Sequence, residues 1–224
     1  MPNVAMPETA RGSRTPALAV LISGRGSNLQ SIIDAIGRGE LDAAIAVVIS
    51  NRVDAPGLAR AREAGIEAFH LDPRGYGSRD ALDHAIVSIL RERGVDLVCL
   101  AGFMRLVGPP LLEAFPLRIL NIHPSLLPAF AGLDAQRQAL EHGVRVSGAT
   151  VHLVTSDLDA GPIVLQAAVP VHDDDTVETL SARILVEEHR LYPEAIRIVL
   201  AGGWRVDGRR FIRPLSPREP ALAD

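Results

Sequence analysis

Short apolar runs alternate with helical patterns along most of the 224-residue chain, and this alternation predicts an α/β fold. Residues 17–23 (ALAVLIS) and 95–101 (VDLVCLA) are nearly continuous apolar runs, as expected of strands covered on both faces. After residue 148 the pattern changes, because two strands follow one another with little helix between them. We therefore predict a Rossmann-like, mostly parallel twisted sheet with helices on both faces and mixed or antiparallel strands in the C-terminal third.

The first half of the chain supplies the parallel strands and their crossover helices in order. Apolar residues at helical spacing predict a helix over 27–37, and the run IAVVI predicts a strand over 45–49. Asp54 is predicted to cap the next helix, with Pro56 in its first turn and Gly65 after its end. The remaining predictions are a short strand over 67–70, a helix from Ser78 to residue 93, and a strand over 118–121.

The second half predicts strands over 148–154 and 163–171, followed by a long helix over 176–200. Strands at 204–206 and 209–212 flank Asp207-Gly208, which is a hairpin signal. Ligands of such sheets bind beyond the carboxyl ends of the strands, near the point where the strand order reverses. That edge is where we expect the functional residues.

We expect a single domain over residues 16–213. The segment 1–15 shows no periodicity and the segment 214–224 holds three prolines, so both are expected to be disordered tails.

Composition excludes several kinds of chemistry. All 23 basic residues are arginine, so neither a lysine Schiff base nor a lysine-containing phosphate loop is possible. A net charge of −4 gives no basis for binding nucleic acid. The single cysteine, Cys99, cannot form an internal disulfide, and no apolar stretch approaches the roughly 20 residues of a membrane span. With no signal-type apolar segment either, we expect a cytoplasmic protein.

A glycine-rich turn, Ser23-Gly24-Arg25-Gly26-Ser27-Asn28, joins the first predicted strand to its helix. Glycine permits a sharp turn, and a helix start offers free N–H groups and a positive dipole end, which suits a phosphate. A dinucleotide is disfavoured, because Leu29 stands where its third glycine belongs. The alternative is a tight turn without a ligand.

Asn121 and His123 close the fifth strand and point to the same side of it. An amide donor beside an imidazole can stabilise an oxyanion and move a proton. Asp159, in the loop 155–162, can hydrogen-bond an imidazole and hold its tautomer. Taken singly, each also fits a structural role: a capping Asn, a core His, and an Asp that bonds its own turn.

Other nucleophiles and ligands receive less support. His152 lies in an alternating strand, and we interpret it as structural. His123, His152 and Asp159 lack the short spacing of metal ligands, so no metal is expected. Ser125 has no nucleophile elbow around it, and Cys99, in mid-strand, is interpreted as an inert buried thiol.

Six segments together resemble the phosphoribosylglycinamide formyltransferase family of the folate-dependent formyltransferases. The resemblance covers roughly residues 17–204, and the segments are LISGRGSNLQ (21–30), LAGFMRL (100–106), NIHPSLLP (121–128), GATVHLV (148–154), LDAGPIVLQ (158–166) and EHRLYPEAI (188–196). It implies formyl transfer from the co-substrate 10-formyltetrahydrofolate to the amine of glycinamide ribonucleotide in de novo purine (IMP) biosynthesis. Both partners are small molecules, and a monomer or a homodimer is expected.

The resemblance also implies a role for each matching residue. The catalytic residues would be Asn121, His123 and Asp159, and glycinamide ribonucleotide would be bound by Gly26, Ser27, Asn28 and Glu188. The folate would be bound by Arg79, Met104, Arg105, Leu106, Val107, Asn121, Thr155, Ser156, Asp157, Leu158 and Asp159.

The chain departs from the family pattern after Pro128. A basic residue, a proline and a histidine are common there, and this chain has Ala129, Ala131 and Asp134 instead. Two alternatives to the transferase are a 10-formyltetrahydrofolate hydrolase and a non-catalytic nucleotide-binding module. The hydrolases carry an N-terminal regulatory domain of some 80 residues, which this sequence lacks. Formylation of methionyl-tRNA is disfavoured by the absence of a basic face and of a further C-terminal domain.

Overall fold

Ten strands form one sheet in the computed structural model, which describes residues 4–5 and 14–213. The strands are β1 (Val4–Ala5), β2 (Ala17–Ile22), β3 (Ala44–Ser50), β4 (Ala68–His70), β5 (Leu97–Leu100), β6 (Ile119–His123), β7 (Val146–Leu153), β8 (Ile163–Pro170), β9 (Arg205–Asp207) and β10 (Arg210–Ile212). The helices are α1 (Ser27–Gly37), α2 (Pro56–Glu63), α3 (Arg79–Glu92), α4 (Pro109–Ala114), α5 (Ala135–Glu141) and α6 (Val177–Ala201), with a 3₁₀ turn at Pro73–Gly75.

The strand order is β1-β9-β10-β8-β7-β6-β5-β2-β3-β4. Strands β4, β3, β2, β5 and β6 are parallel, whereas β7 is antiparallel to both β6 and β8. The predicted fold class is therefore confirmed, including the change to antiparallel strands towards the C-terminus. From β2 the chain runs outward to β3 and β4 and then returns to the other side of β2, so the strand order reverses between β2 and β5.

Both faces of the sheet are covered, and the central strand shows how. Along β2, Leu18, Val20 and Ile22 belong to a core shared with α1 and α6, whereas Ala19 and Leu21 face α3 and α4. All of these side chains are fully buried, which accounts for the continuous apolar run read from the sequence.

Helix starts confirm the prediction that Ser78 caps α3, correct the prediction for Asp54, and show a further cap at α6 that was not predicted. Ser78 Oγ accepts a hydrogen bond from the Ala81 N–H at 3.1 Å, and Thr176 and Thr179 form a reciprocal capping box. The prediction that Asp54 caps α2 is wrong, because the capping position is Ala55 and has no side-chain hydrogen bond. Asp54 is instead held by the guanidinium of Arg52, with Nη2 to Oδ2 at 3.0 Å.

Two short helices, α4 and α5, were not predicted. At the N-terminus, Val4–Ala5 pairs antiparallel with β9 inside the segment expected to be a tail. The rest of that expectation, for residues 1–3 and 6–13, and the expected tail 214–224 lie outside the described residues. No helix within the described part of the chain is long and apolar enough to cross a membrane.

Candidate active site

The glycine turn after β2 is shaped by its contact with the start of α2. Gly26 adopts a left-handed conformation (φ 73°), and a Cβ atom there would lie 2.6 Å from Gly57 Cα. Gly57 N–H donates to the Gly24 carbonyl at 3.1 Å, and Arg60 Nε donates to the Arg25 carbonyl at 3.0 Å. Gly26 is the capping position of α1 and provides no side-chain cap, so the first amides of α1 have no such partner. Glycine is therefore required here, and the amides are available to an anion.

A buried polar pair joins α1 to α6 beside this turn. Asn28 Nδ2 donates to Glu188 Oε2 at 2.8 Å, and each residue is 7% exposed. Burial raises the pKa of Glu188, although the hydrogen bond from Asn28 and the charge of Arg25 oppose that shift. Asn28 Oδ1 is buried without a hydrogen-bond partner. An unsatisfied buried acceptor costs free energy unless a ligand supplies a donor, so Asn28 Oδ1 is a candidate contact for a ligand.

Tyr192 fixes α6 to the sheet one turn after Glu188. Its hydroxyl lies 3.0 Å from the Leu100 carbonyl and 3.1 Å from the Leu120 carbonyl, and donates to one of them at a time. These carbonyls belong to β5 and β6, so the helix that carries Glu188 is tied to the strand that carries Asn121 and His123.

Asn121 contacts His152 across the antiparallel pair β6 and β7, where the two residues are in register. The distance from Asn121 Nδ2 to His152 Nε2 is 3.1 Å. Because an amide nitrogen only donates, His152 Nε2 accepts, and its Nδ1–H donates to the Leu153 carbonyl at 3.0 Å. The second hydrogen of the Asn121 amide remains for another acceptor.

His123 is 5% exposed and has a partner on each ring nitrogen. Nε2 donates to the Phe130 carbonyl at 2.9 Å, and Nδ1 lies 3.4 Å from Asp159 Oδ2. Burial lowers the pKa of His123, and the Phe130 carbonyl and the Asp159 carboxylate offset only part of that shift. Protonation of Nδ1 would convert the contact with Asp159 into an ion pair, so this site binds the imidazolium by two acceptors.

Asp159 lies between the two imidazoles, with Oδ1 3.6 Å from His152 Nε2. Burial acts to raise the pKa of Asp159, but the hydrogen bond from the Gly132 N–H and the charge of His123 act to lower it, and the pKa lies below its ordinary value. Gly132 N donates to Asp159 Oδ2 at 2.8 Å. Asp159 is thus an oriented carboxylate, and its backbone is left-handed (φ 49°).

The loop after Pro128 holds these side chains through its backbone. The carbonyl of Phe130 and the N–H of Gly132 are its two hydrogen-bonding groups toward His123 and Asp159. The side chains of Ala129, Ala131 and Asp134 are exposed. Behind the loop, Ser125 Oγ donates to the Ala129 carbonyl at 2.6 Å, which occupies the hydroxyl that we interpreted as non-nucleophilic.

The segment predicted to bind folate, 104–107, follows β5 at the same edge of the sheet. Its Met104 and Leu106 side chains are exposed by 66% and 52%. Arg79 begins α3 beside Gly108, and Val107 packs against the same core as Val154.

The loop 155–159 provides the other predicted folate contacts and ends at Asp159. Leu158 is 56% exposed and lies close to Gly132, and Thr155 Oγ1 donates weakly to the Asp157 carbonyl at 3.4 Å. The structure therefore places the predicted folate residues on α3, on the segment after β5 and on the loop after β7, with Asn121 on β6 between those two strands.

An open cavity of about 350 Å³ lies beside α1 and is lined by Ser27, Gln30, Ser31, Asp34, Arg38, Arg60 and His189. Its lining includes Ser27, one of the predicted nucleotide residues, but none of Asn121, His123 and Asp159.

Cys99 is fully buried, and burial raises the pKa of its thiol, so it is not a nucleophile at neutral pH. No group of three or more metal-ligating side chains in the described ranges is arranged to hold a metal ion.

Sequence reasoning missed the position of His152, which we interpreted as structural and which contacts both Asn121 and Asp159. His152 lies beside Asn121 because of the register between β6 and β7, and that register cannot be read from the sequence of either strand alone. It also missed Tyr192, although this residue lies in the EHRLYP segment, four residues after Glu188 and thus on the same helix face.

Comparison with known proteins identifies the class to which this site belongs. The family model described as formyl transferase matches residues 17–196, so the chain belongs to the formyl transferase family.

Relatives narrow that family to one branch. The chain is 45% identical over 192 residues to the phosphoribosylglycinamide formyltransferase of Escherichia coli K12, covering 86% of this chain and 88% of the relative. The crystal structure of glycinamide ribonucleotide transformylase 1 from Symbiobacterium toebii superposes with a TM-score of 0.88 at 61% identity, covering 90% of this chain and 95% of that one. The trifunctional purine biosynthetic protein adenosine-3 of Gallus gallus is 47% identical over 84% of this chain, which spans only 19% of that relative's length.

Proposed function

We propose that the protein transfers the formyl group of 10-formyltetrahydrofolate to the amine of glycinamide ribonucleotide in de novo purine biosynthesis. One observation carries the proposal most directly. Asn121, His123 and Asp159, which we call the catalytic trio, converge at the edge of the sheet that also holds an amide-rich turn and an unsatisfied Asn28 carbonyl. The resemblance read from the sequence and the similarity to the E. coli transferase support the same reaction.

In the first step the substrate amine attacks the formyl carbon. A C–N bond forms, and the π electrons of the carbonyl move onto oxygen. The free hydrogen of the Asn121 amide is the donor for this oxyanion. The two N–H groups of a protonated His123 face the Phe130 carbonyl and Asp159, so its imidazolium would stabilise the oxyanion through its positive charge. Preorganised donors of this kind are worth about 10²–10³-fold in rate each. Asp159 orients the imidazolium and balances its charge.

In the second step the attacking nitrogen, now an ammonium, loses one proton, and N10 of the folate gains one. The oxyanion then re-forms the C=O bond as the C–N10 bond breaks with its electron pair on N10, which yields tetrahydrofolate and the formylated ribonucleotide. His123 and Asp159 are the groups placed to relay that proton. The scheme needs no enzyme nucleophile, which agrees with a chain that has no lysine and whose single cysteine is buried.

Substrate contacts follow from the same geometry. The amides of Gly26, Ser27 and Asn28 would hold the phosphate, and Glu188 would hold the ribonucleotide. The folate would lie against Arg79, the segment 104–107 and the loop 155–159. We further propose one domain over residues 16–213 that acts in the cytoplasm as a monomer or a homodimer, without metal, nucleic acid or membrane.

One assay separates this function from its alternatives. The purified protein is incubated with 10-formyltetrahydrofolate, with and without glycinamide ribonucleotide, and loss of the formyl group is followed. Turnover that requires the ribonucleotide supports the transferase. Equal turnover without it would mean a hydrolase, and ligand binding without any turnover would mean a non-catalytic module.

A further inference from the structure

Ser23 is a buried side chain, 5% exposed, at the point where the strand order reverses. Its Oγ–H donates to Asn51 Oδ1 at 2.5 Å, and the same oxygen accepts from the Met104 N–H at 2.8 Å. Its backbone N–H donates to the Gly102 carbonyl at 3.0 Å. One serine therefore joins the segments that follow three neighbouring strands, β2, β3 and β5.

Two of these segments belong to different proposed substrates. Gly24 and the rest of the phosphate turn follow Ser23 directly, whereas Met104 opens the folate segment 104–107. The far end of the folate segment is fixed separately, because Asp83 Oδ2 accepts from the Gly108 N–H at 2.6 Å. Asp83 is 4% exposed, and a Cβ atom at position 108 would lie 2.7 Å from that oxygen.

The two residues that fix the folate segment, Asp83 and Ser23, thus differ in what else they hold. Asp83 lies on α3 and holds only this segment. Ser23 holds it and is also part of the chain that forms the phosphate turn. A shift of the turn upon binding a phosphate would therefore be passed through the Ser23 hydroxyl to the first amide of the folate segment.

We propose that Ser23 is a positioning residue that couples the two substrate sites, so that binding of one ligand tightens binding of the other. This inference rests on the proposed function. Such coupling is reciprocal and typically amounts to about fivefold or more in affinity. Neither Ser23 nor Asn51 touches the reacting atoms, so the effect appears in binding rather than in the chemical step.

Calorimetric titration tests the coupling with a pair of ligands that cannot react, glycinamide ribonucleotide and tetrahydrofolate. In the wild type, saturating tetrahydrofolate is expected to lower the Kd of the ribonucleotide by about fivefold. In Ser23→Ala this factor is expected to fall to about one. Asp83→Asn is expected to weaken tetrahydrofolate binding while leaving the Kd of the ribonucleotide alone unchanged.

Ser147→Ala is the matched control, because Ser147 is a buried serine on β7 whose hydroxyl has no hydrogen-bond partner among the described residues. It is expected to keep both affinities and their coupling. Asn51→Ala removes the acceptor that orients the Ser23 hydroxyl toward the Met104 N–H, and this half-buried position tests the coupling if Ser23→Ala does not fold.

The proposed role of Ser23 would be overturned if coupling survived in both Ser23→Ala and Asn51→Ala. It would also be overturned if a wild type with normal turnover showed no coupling. Either result would leave the proposed function standing. A wild type that binds neither ligand would overturn the proposed function as well.

Discussion

The two regions of the proposed site differ in whether backbone groups or side chains face the substrates. At the nucleotide corner, formed by Gly26, Ser27, Asn28 and Glu188, the backbone amides of the turn are the proposed binding groups, and packing against Gly57 holds them in place. At the catalytic trio, the side chains of Asn121, His123 and Asp159 are the proposed reactive groups. There the backbone of the loop 129–134 holds two of them in place. The two regions should therefore respond differently to substitution.

The largest effect is expected at the trio. His123→Ala removes the positive charge proposed to stabilise the oxyanion, so kcat should fall by about 10²-fold or more while both substrates still bind. Single-turnover kinetics and ligand titration measure the two quantities separately. A kcat within a few-fold of the wild type would remove His123 from the mechanism.

At the nucleotide corner, Gly26→Ala tests the requirement for a close backbone approach. The added methyl would meet Gly57 Cα at 2.6 Å in a left-handed residue, and we expect a loss of about 2–4 kcal/mol in the free energy of unfolding. Gly39→Ala is the control, because Gly39 is also left-handed (φ 70°) but has nothing within 4 Å of the added atom.

Gly39→Ala should therefore cost only the backbone strain, about 1–2 kcal/mol. Chemical denaturation measures both variants. Equal losses would mean that conformation alone, and not the contact with Gly57, requires glycine at position 26.

Asn28→Ala separates binding from chemistry. It removes the donor to Glu188 and the orphan carbonyl, so the KM for glycinamide ribonucleotide should rise by about tenfold with little change in kcat. Gln30→Ala, two residues later on the same helix, is the control and should leave KM unchanged. A fall in kcat alone would place Asn28 with the trio.

A smaller effect concerns pH. Burial raises the pKa of Glu188 above 4.5, so its protonated form stabilises the fold at low pH, and that stability is lost as the pH rises through the folded-state pKa. Glu188→Gln stays neutral and can still accept from Asn28. The melting temperature of this variant relative to the wild type should therefore rise by a few degrees, about 2–4 °C, between pH 4 and pH 8. A melting-temperature difference between the variant and the wild type that does not change with pH would mean that the pKa of Glu188 is not raised.

The smallest effect is expected where the chain departs from the family pattern. Ala129→Lys restores a basic residue at an exposed position that contacts neither His123 nor Asp159 through its side chain. We expect kcat and KM to change by less than about twofold, with stability within about 0.5 kcal/mol. A tenfold gain in activity would show that the missing charge matters to catalysis.

Sequence patterns predicted the sheet, its crossover helices and the change to antiparallel strands, because burial on both faces of β2 and β5 leaves a continuous apolar signal. They did not predict α4 and α5, since helices of six and seven residues are too short to show a period. Asp54 was predicted to cap α2 because aspartate is a common capping residue. In the structure, its carboxylate is instead held by Arg52, two residues earlier.

Within the site, the candidate residues themselves could be read from motifs, but their partners could not. The contacts of Asn121 with His152 and of Ser23 with Met104 join residues 31 and 81 positions apart. Contacts over such separations depend on strand register and loop course. Their roles in the reaction remain predictions for the experiments above.

The backbone contacts of the loop 129–134 bear on how this stretch can evolve. A carbonyl at position 130 and an N–H at position 132 are supplied by nearly any residue, so selection for catalysis places little restraint on which codons occupy the exposed positions 129, 131 and 134. Such positions are free to follow the nucleotide bias of the genome. A chain whose cations are all arginine can lose a basic residue there without a compensating change elsewhere.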